Sequence, residues 1–199
     1  MPKISHKDLN RFYPPTRQAW RDWLAQHHAS SPGIWLIYYK KHTGAPTVSY
    51  DEAVEEALCF GWIDSKPNKL DEDRYMQLFT PRKPKSPWSR LNKTRIEKLA
   101  AAGLIAPAGQ AKIDAAKENG FWTILDPIEN LEVPDDLAEA LNAHPPAAEY
   151  FDAFAPTYKK GILWWIASAK RPETRAKRVL QTAEMAAKNL KANFDKKSA

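Results

Sequence analysis

Two stretches of this chain carry residues that could do chemistry. The first, Ala57-Leu58-Cys59-Phe60-Gly61-Trp62-Ile63, is an apolar strip that runs directly into Asp64 and Ser65. The second, Thr80-Pro81-Arg82-Lys83-Pro84-Lys85-Ser86-Pro87-Trp88-Ser89, is basic and proline-stiffened, and leads into Arg90-Leu91-Asn92-Lys93. Prolines 81, 84 and 87 reduce the entropy lost when such a loop is ordered. Ser86 followed by Pro87 fits an N-cap with proline at the first helical position. Arg82, Lys83 and Lys85 then precede free N–H groups and the positive end of a helix dipole, a natural receptor for phosphate, sulfate or carboxylate. The candidate ligand-binding set is Asp64, Arg82, Lys83, Lys85, Ser86, Trp88, Ser89 and Asn92. Two readings stand side by side. Asp64 pairs with Arg82 and pins a hairpin to the helix, or the loop receives an anion. Both hold if Asp64 orients Arg82.

Other chemistries find less support. Cys59 sits near a predicted helix C-terminus, where the dipole disfavours a thiolate, so it reads as a buried structural cysteine. His6, His27, His28, His42 and His144 lack metal-ligand spacing and have no cysteine partners, so no metal or other cofactor is expected. No P-loop, dinucleotide fingerprint or nucleophile elbow occurs. No catalytic residue is assigned. An acid–base role for Asp64 beside an Arg82 anion clamp remains as a third function class. Trp62, Tyr75 and Trp88 stand close in sequence to cations. Aromatics so placed can stack bases, though they more often fill a core.

The elements that must position these residues can be read from periodicity. Thr16 caps a helix whose Trp20, Trp23, Leu24 and His27 share a face. Residues 33–41 read as a buried strand. Ser49-Tyr50-Asp51-Glu52 is a capping box, and Gly61 ends its helix in the left-handed region. Trp62–Ser65 and Arg74–Thr80 read as an antiparallel pair joined by a polar loop over Lys66–Asp73. From Ser86 the pattern is helical, with Trp88, Asn92, Ile96, Leu99 and Gly103 in register. Further helices are predicted over Pro107–Asn119, Pro134–Ala143, Pro146–Phe154 and Pro156–Ala169, and from Pro172 onward. The last carries Ala176, Val179, Leu180, Ala183, Ala187 and Leu190 on one face. Of Trp164 and Trp165, which cannot face one way, one is expected to be buried and the other left for an interface. The fold class is α+β: a small antiparallel sheet packed with helices, followed by an all-helical C-terminal module. The acidic, proline-containing link near Asp126–Asp136 divides the chain into domains at 1–125 and 126–199.

At 199 residues, 43% hydrophobic and 27% charged, the chain has the balance of a soluble globular protein. Its longest apolar run, Gly161–Ala167, is far below the ~20 residues of a membrane span. No secretory signal is visible after Met1, so the expected location is cytoplasmic. The net charge of +6 is uneven. Residues 82–98 and 170–199 are strongly basic, whereas 114–152 are strongly acidic. Such asymmetry makes nucleic acid a second candidate partner, bound through the basic loop and the last helix. The bland alternative is solvated faces that attract one another within the molecule.

The run Ala57–Ser65, followed by Phe79–Lys83 and Ser86–Lys93, resembles the YdeI/OmpD-associated family of bacterial proteins. Ala169-Lys-Arg-Pro-Glu-Thr-Arg175 with Arg178 is similar to that family's C-terminal module. The resemblance spans roughly Trp20–Leu190. It implies a link to stress or antimicrobial-peptide (bacteriocin) resistance and to an outer-membrane porin. It supplies no catalytic residues. Taken together, the expectation is a non-catalytic cytosolic binding protein with an anion or small-ligand site near Arg82.

Overall fold

The computed structural model describes residues 8–195. They form two compact units, one ending at Ile124 and the other starting at Leu125. In the first unit the order is β1 (Arg11–Phe12), α1 (Arg17–His27), β2 (Ile34–Tyr39), α2 (Tyr50–Cys59), β3 (Trp62–Lys69), β4 (Arg74–Pro81), α3 (Arg90–Ala101) and α4 (Pro107–Glu118). The sheet order is β1-β2-β4-β3. Strand β4 pairs antiparallel with both β2 and β3, so β2 and β3 run the same way on either side of it, joined through α2. The two-residue β1 adds to β2 in parallel, which makes the otherwise antiparallel sheet mixed.

Local chemistry accounts for most of these elements. Thr16 caps α1 by accepting from the Ala19 N–H. The Ser49–Glu52 capping box forms in both directions and opens α2. Glycine at 61 takes φ +73° where α2 turns into β3, a conformation that a Cβ would strain. Trp20, Trp62, Trp88 and Phe79 lie fully inside the core formed by the sheet and helices. Burial of each such aromatic contributes at least about 2–3 kcal/mol. Both Trp20 and Trp62 satisfy their indole N–H internally, on the carbonyls of Ala53 and His28.

Three expectations need correction. The helix after the basic loop starts at Arg90, with Ser89 as its N-cap accepting from the Asn92 N–H. Ser86 instead closes a turn on Lys83, N to O 3.0 Å, and Trp88 passes into the core before the helix begins. The polar segment 66–69 is strand rather than loop. It continues β3 past a bulge between Asp64 and Pro67. As an edge strand it needs no apolar alternation and tolerates Pro67. Lastly, Leu180 is exposed, because the buried stripe of the final helix runs through Val179, Thr182, Ala183 and Ala186.

The second unit is helical throughout its described residues: α5 (Asp126–Glu129), α6 (Asp135–Asn142), α7 (Ala147–Ala153), α8 (Pro156–Ala167) and α9 (Pro172–Ala186). Pro156 and Pro172 occupy first-turn positions, where a missing N–H costs nothing. Leu137, Phe151, Ile162 and Ala183 centre its core. Arg175 holds α9 to α6 through a two-pronged pair with Asp136, at 2.7 and 2.9 Å. Trp164 is exposed and Trp165 half-buried, with the Arg178 guanidinium over the Trp165 ring. No helix among the described residues is long and apolar enough to cross a membrane.

Candidate functional site: a buried arginine beside a small cavity

The apolar strip Cys59-Phe60-Gly61 positions the site from below. The Ala106 N–H donates to the Cys59 carbonyl at 3.0 Å, seating the start of α4 on the end of α2. The two helices touch so closely there that a Cβ on Gly109 would lie 2.1 Å from the Cys59 oxygen. One turn on, the Lys112 stem packs on Gly61, where a Cβ would meet its Cγ at 2.6 Å. The Gly61 carbonyl in turn accepts the Arg82 N–H at 2.9 Å. Gly61 thus brings the backbone of Arg82 and the side chain of Lys112 to one place.

Arg82 is 3% exposed, unusual for a guanidinium without a carboxylate partner. Its Cζ lies 3.7 Å from the centre of the Trp88 ring, a close cation–π stack. Its Nη2 donates to the Pro87 carbonyl at 2.7 Å. Nε and Nη1 are buried and have no hydrogen-bond partner among the described residues. Burial pushes its pKa down to about 10, a shift that the nearby charge of Asp64 partly opposes. Beside it lies a cavity of about 140 Å³, lined by Arg82, Lys83, Pro84, Trp88, Ala111, Lys112, Ala115 and Ala116.

The predicted site residues fall into two groups. Arg82, Lys83 and Trp88 meet at this cavity. The others do not line it. Lys85 is exposed, Ser86 belongs to the turn, and the Ser89 hydroxyl serves the helix cap. The Asn92 side chain accepts from Arg95 at 3.1 Å. Asp64 makes no ion pair with Arg82. Its Oδ2 accepts from Tyr50 Oη at 2.8 Å and from Gln77 Nε2 at 3.0 Å, on the sheet face shared with Tyr38 and Tyr75. Burial, then the Asp64 carboxylate, raises the Tyr50 phenol to about 12. Trp62 and Trp88 are each 1% exposed, so neither offers a face for base stacking.

Sequence reading missed the contribution of α4. Lys112 and the Ala111, Ala115 and Ala116 wall come from a helix remote in sequence, and no local motif points to them. The one available signal was Gly109, an interior helical glycine that marks a close approach. A buried carboxylate was missed as well. Glu56 is 2% exposed and held by Arg17 and Arg21, both at 2.6 Å, which ties α2 to α1. Cys59 is fully buried, and burial, then the Glu56 charge, raises its thiol to about 11. Among the described residues, no three His, Cys, Asp or Glu side chains are grouped to hold a metal.

Residues 12–112, which hold every residue named around this cavity up to Lys112, match the family described as Domain of unknown function (DUF8412). The chain belongs to that family. Residues 130–189 match a second family, described as Bacteriocin-protection, YdeI or OmpD-Associated. The second unit therefore carries the YdeI/OmpD-associated domain, including the 169–175 segment and Arg178. The motifs at 57–65 and 79–93 fall in the first match instead. No curated protein and no solved structure matches the chain.

Proposed function

We propose that the first unit is a binding module for a small anionic ligand held against Arg82, acting by binding rather than by catalysis. One observation carries this reading: a guanidinium that is 3% exposed, lines a cavity, and leaves Nε and Nη1 unpartnered. An unpaired buried charge is costly, and an anion would offset that cost with charge-assisted hydrogen bonds. The cavity, at about 140 Å³, is below the roughly 300 Å³ at which drug-sized sites begin, so the ligand is small. The Asp64 carboxylate is occupied by Tyr50 and Gln77 and lies outside the cavity lining, which favours binding over acid–base work. In a cytoplasmic protein with a YdeI/OmpD-associated domain, such a module would let a stress or peptide-resistance response depend on a small anion.

Calorimetric titration of the full chain with phosphate, sulfate and acetate tests the reading. A saturable signal in the millimolar range or tighter, lost in Arg82→Met, is the expected result. Absence of any saturable signal with all three anions would refute it.

A further inference from the structure

The lining of the Arg82 cavity is chemically mixed, and this bears on which anion it takes. Three cations line it: Arg82, Lys83 and Lys112. Neither lysine is in an ion pair among the described residues, and no carboxylate belongs to the lining. Ala111, Ala115 and Ala116 of α4, with Pro84, add methyl and ring surface to the same lining.

The guanidinium geometry sharpens the point. Nη2 has two N–H bonds, one beside Nε–H and one beside Nη1. The Pro87 carbonyl uses one of them. Whichever remains lies next to a donor that is itself unpartnered. One complete two-pronged edge of the guanidinium is therefore without a protein partner, and such an edge can grip two oxygens of one oxyanion.

We infer that the ligand is a tetrahedral dianion of the phosphomonoester class with a short apolar substituent. Its head would meet Arg82 and Lys112, and its substituent the alanine wall of α4. This rests on the anion-binding reading and adds the charge class, the ester and a selectivity residue. With three cations at the lining, a monoanion leaves two of them uncompensated and a dianion leaves one. Bare phosphate would leave the methyl wall unused. Lys112 is a positioning and selectivity group here, anchored by its stem on Gly61.

The test is competitive calorimetry on the full chain at one fixed neutral pH with ethyl phosphate, inorganic phosphate, sulfate and acetate. Ethyl phosphate should bind tightest, and the dianions should exceed acetate by at least about tenfold. Lys112→Met keeps the stem on Gly61 and should shrink that gap to about threefold or less, weakening the dianions more than acetate. Circular dichroism and an unaltered melting temperature establish that this variant is folded. Acetate binding as tightly as ethyl phosphate would overturn the dianion inference while leaving the anion reading in place. Inorganic phosphate binding more tightly than ethyl phosphate would overturn the ester. An unchanged gap in Lys112→Met would remove Lys112 from the site. No binding by any of the four would sink both readings together.

Discussion

Replacing Arg82 with methionine separates a ligand-binding arginine from a structural one. Methionine approximates the length of the arginine stem and can still lie on Trp88, but carries neither charge nor donors. Folding depresses the guanidinium pKa from 12.5 to about 10, and at about 1.4 kcal/mol per unit this is a penalty of roughly 3.5 kcal/mol at neutral pH. Against it stand the charge-assisted bond to Pro87 O, worth about 1.5–3 kcal/mol, and the cation–π stack, worth about 2 kcal/mol when desolvated. These nearly cancel. Arg82→Met should therefore unfold within about 1.5 kcal/mol of wild type in ligand-free buffer, less than the 3–5 kcal/mol typical of breaking a buried ion pair. Anion should then distinguish the two proteins. A ligand at 100 times its dissociation constant stabilises the wild type by about 2.7 kcal/mol and leaves the variant unmoved. Urea denaturation of both proteins, with and without saturating phosphate, measures all four numbers. A loss of more than about 3 kcal/mol in the variant, with no phosphate effect on wild type, would show that Arg82 is a structural pin.

Other substitutions probe the scaffold. Gly109→Ala drives a Cβ to 2.1 Å from the Cys59 carbonyl, a backbone contact that cannot swing aside; it should cost at least about 2 kcal/mol in urea denaturation and abolish anion binding with it. Ser89→Ala should cost about 1 kcal/mol because it removes the cap of α3, whereas Ser86→Ala should cost under about 0.5 kcal/mol; equal losses would contradict the Arg90 helix start. Cys59 makes an alkaline prediction. Its folded pKa, about 11, is above the ordinary 9.0, so the native state binds the extra proton and stability falls as pH rises from 9 through 11. Cys59→Ala should flatten that decline in denaturation experiments at pH 8–11. In the native wild type the thiol should resist a thiol-reactive reagent at pH 8, at which an exposed cysteine reacts readily.

Much of the fold was legible because local chemistry and tertiary packing agree. Thr16, the Ser49–Glu52 box, Gly61, Pro156 and Pro172 each mark a boundary by satisfying or removing backbone donors, and the structure places boundaries at all of them. The departures occur where packing overrides a local signal. Ser86-Pro87 has good helix-start chemistry, but Trp88 must first reach the core, so the start moves to the next available cap, Ser89. Residues 66–69 read as loop because an edge strand has only one neighbour to satisfy and little to bury.

The site was half legible for a related reason. Arg82 and its loop declare their charge in sequence, but charge alone suggests an exposed patch. What turns Arg82 into a candidate receptor is its burial under α4, and that burial depends on contacts between distant segments. Gly61 allows Lys112 to approach, Gly109 allows α4 to sit on Cys59 O, and Trp88 gives the guanidinium a surface to lie on. None of the three is a binding motif. Each is a place where small size or a flat ring lets two elements come closer than usual. The expected Asp64–Arg82 pair fails on the same physics. Tyr50 from the start of α2 and Gln77 from β4 bond Asp64 locally, which leaves Arg82 without an ion-paired carboxylate and with two unpartnered donors.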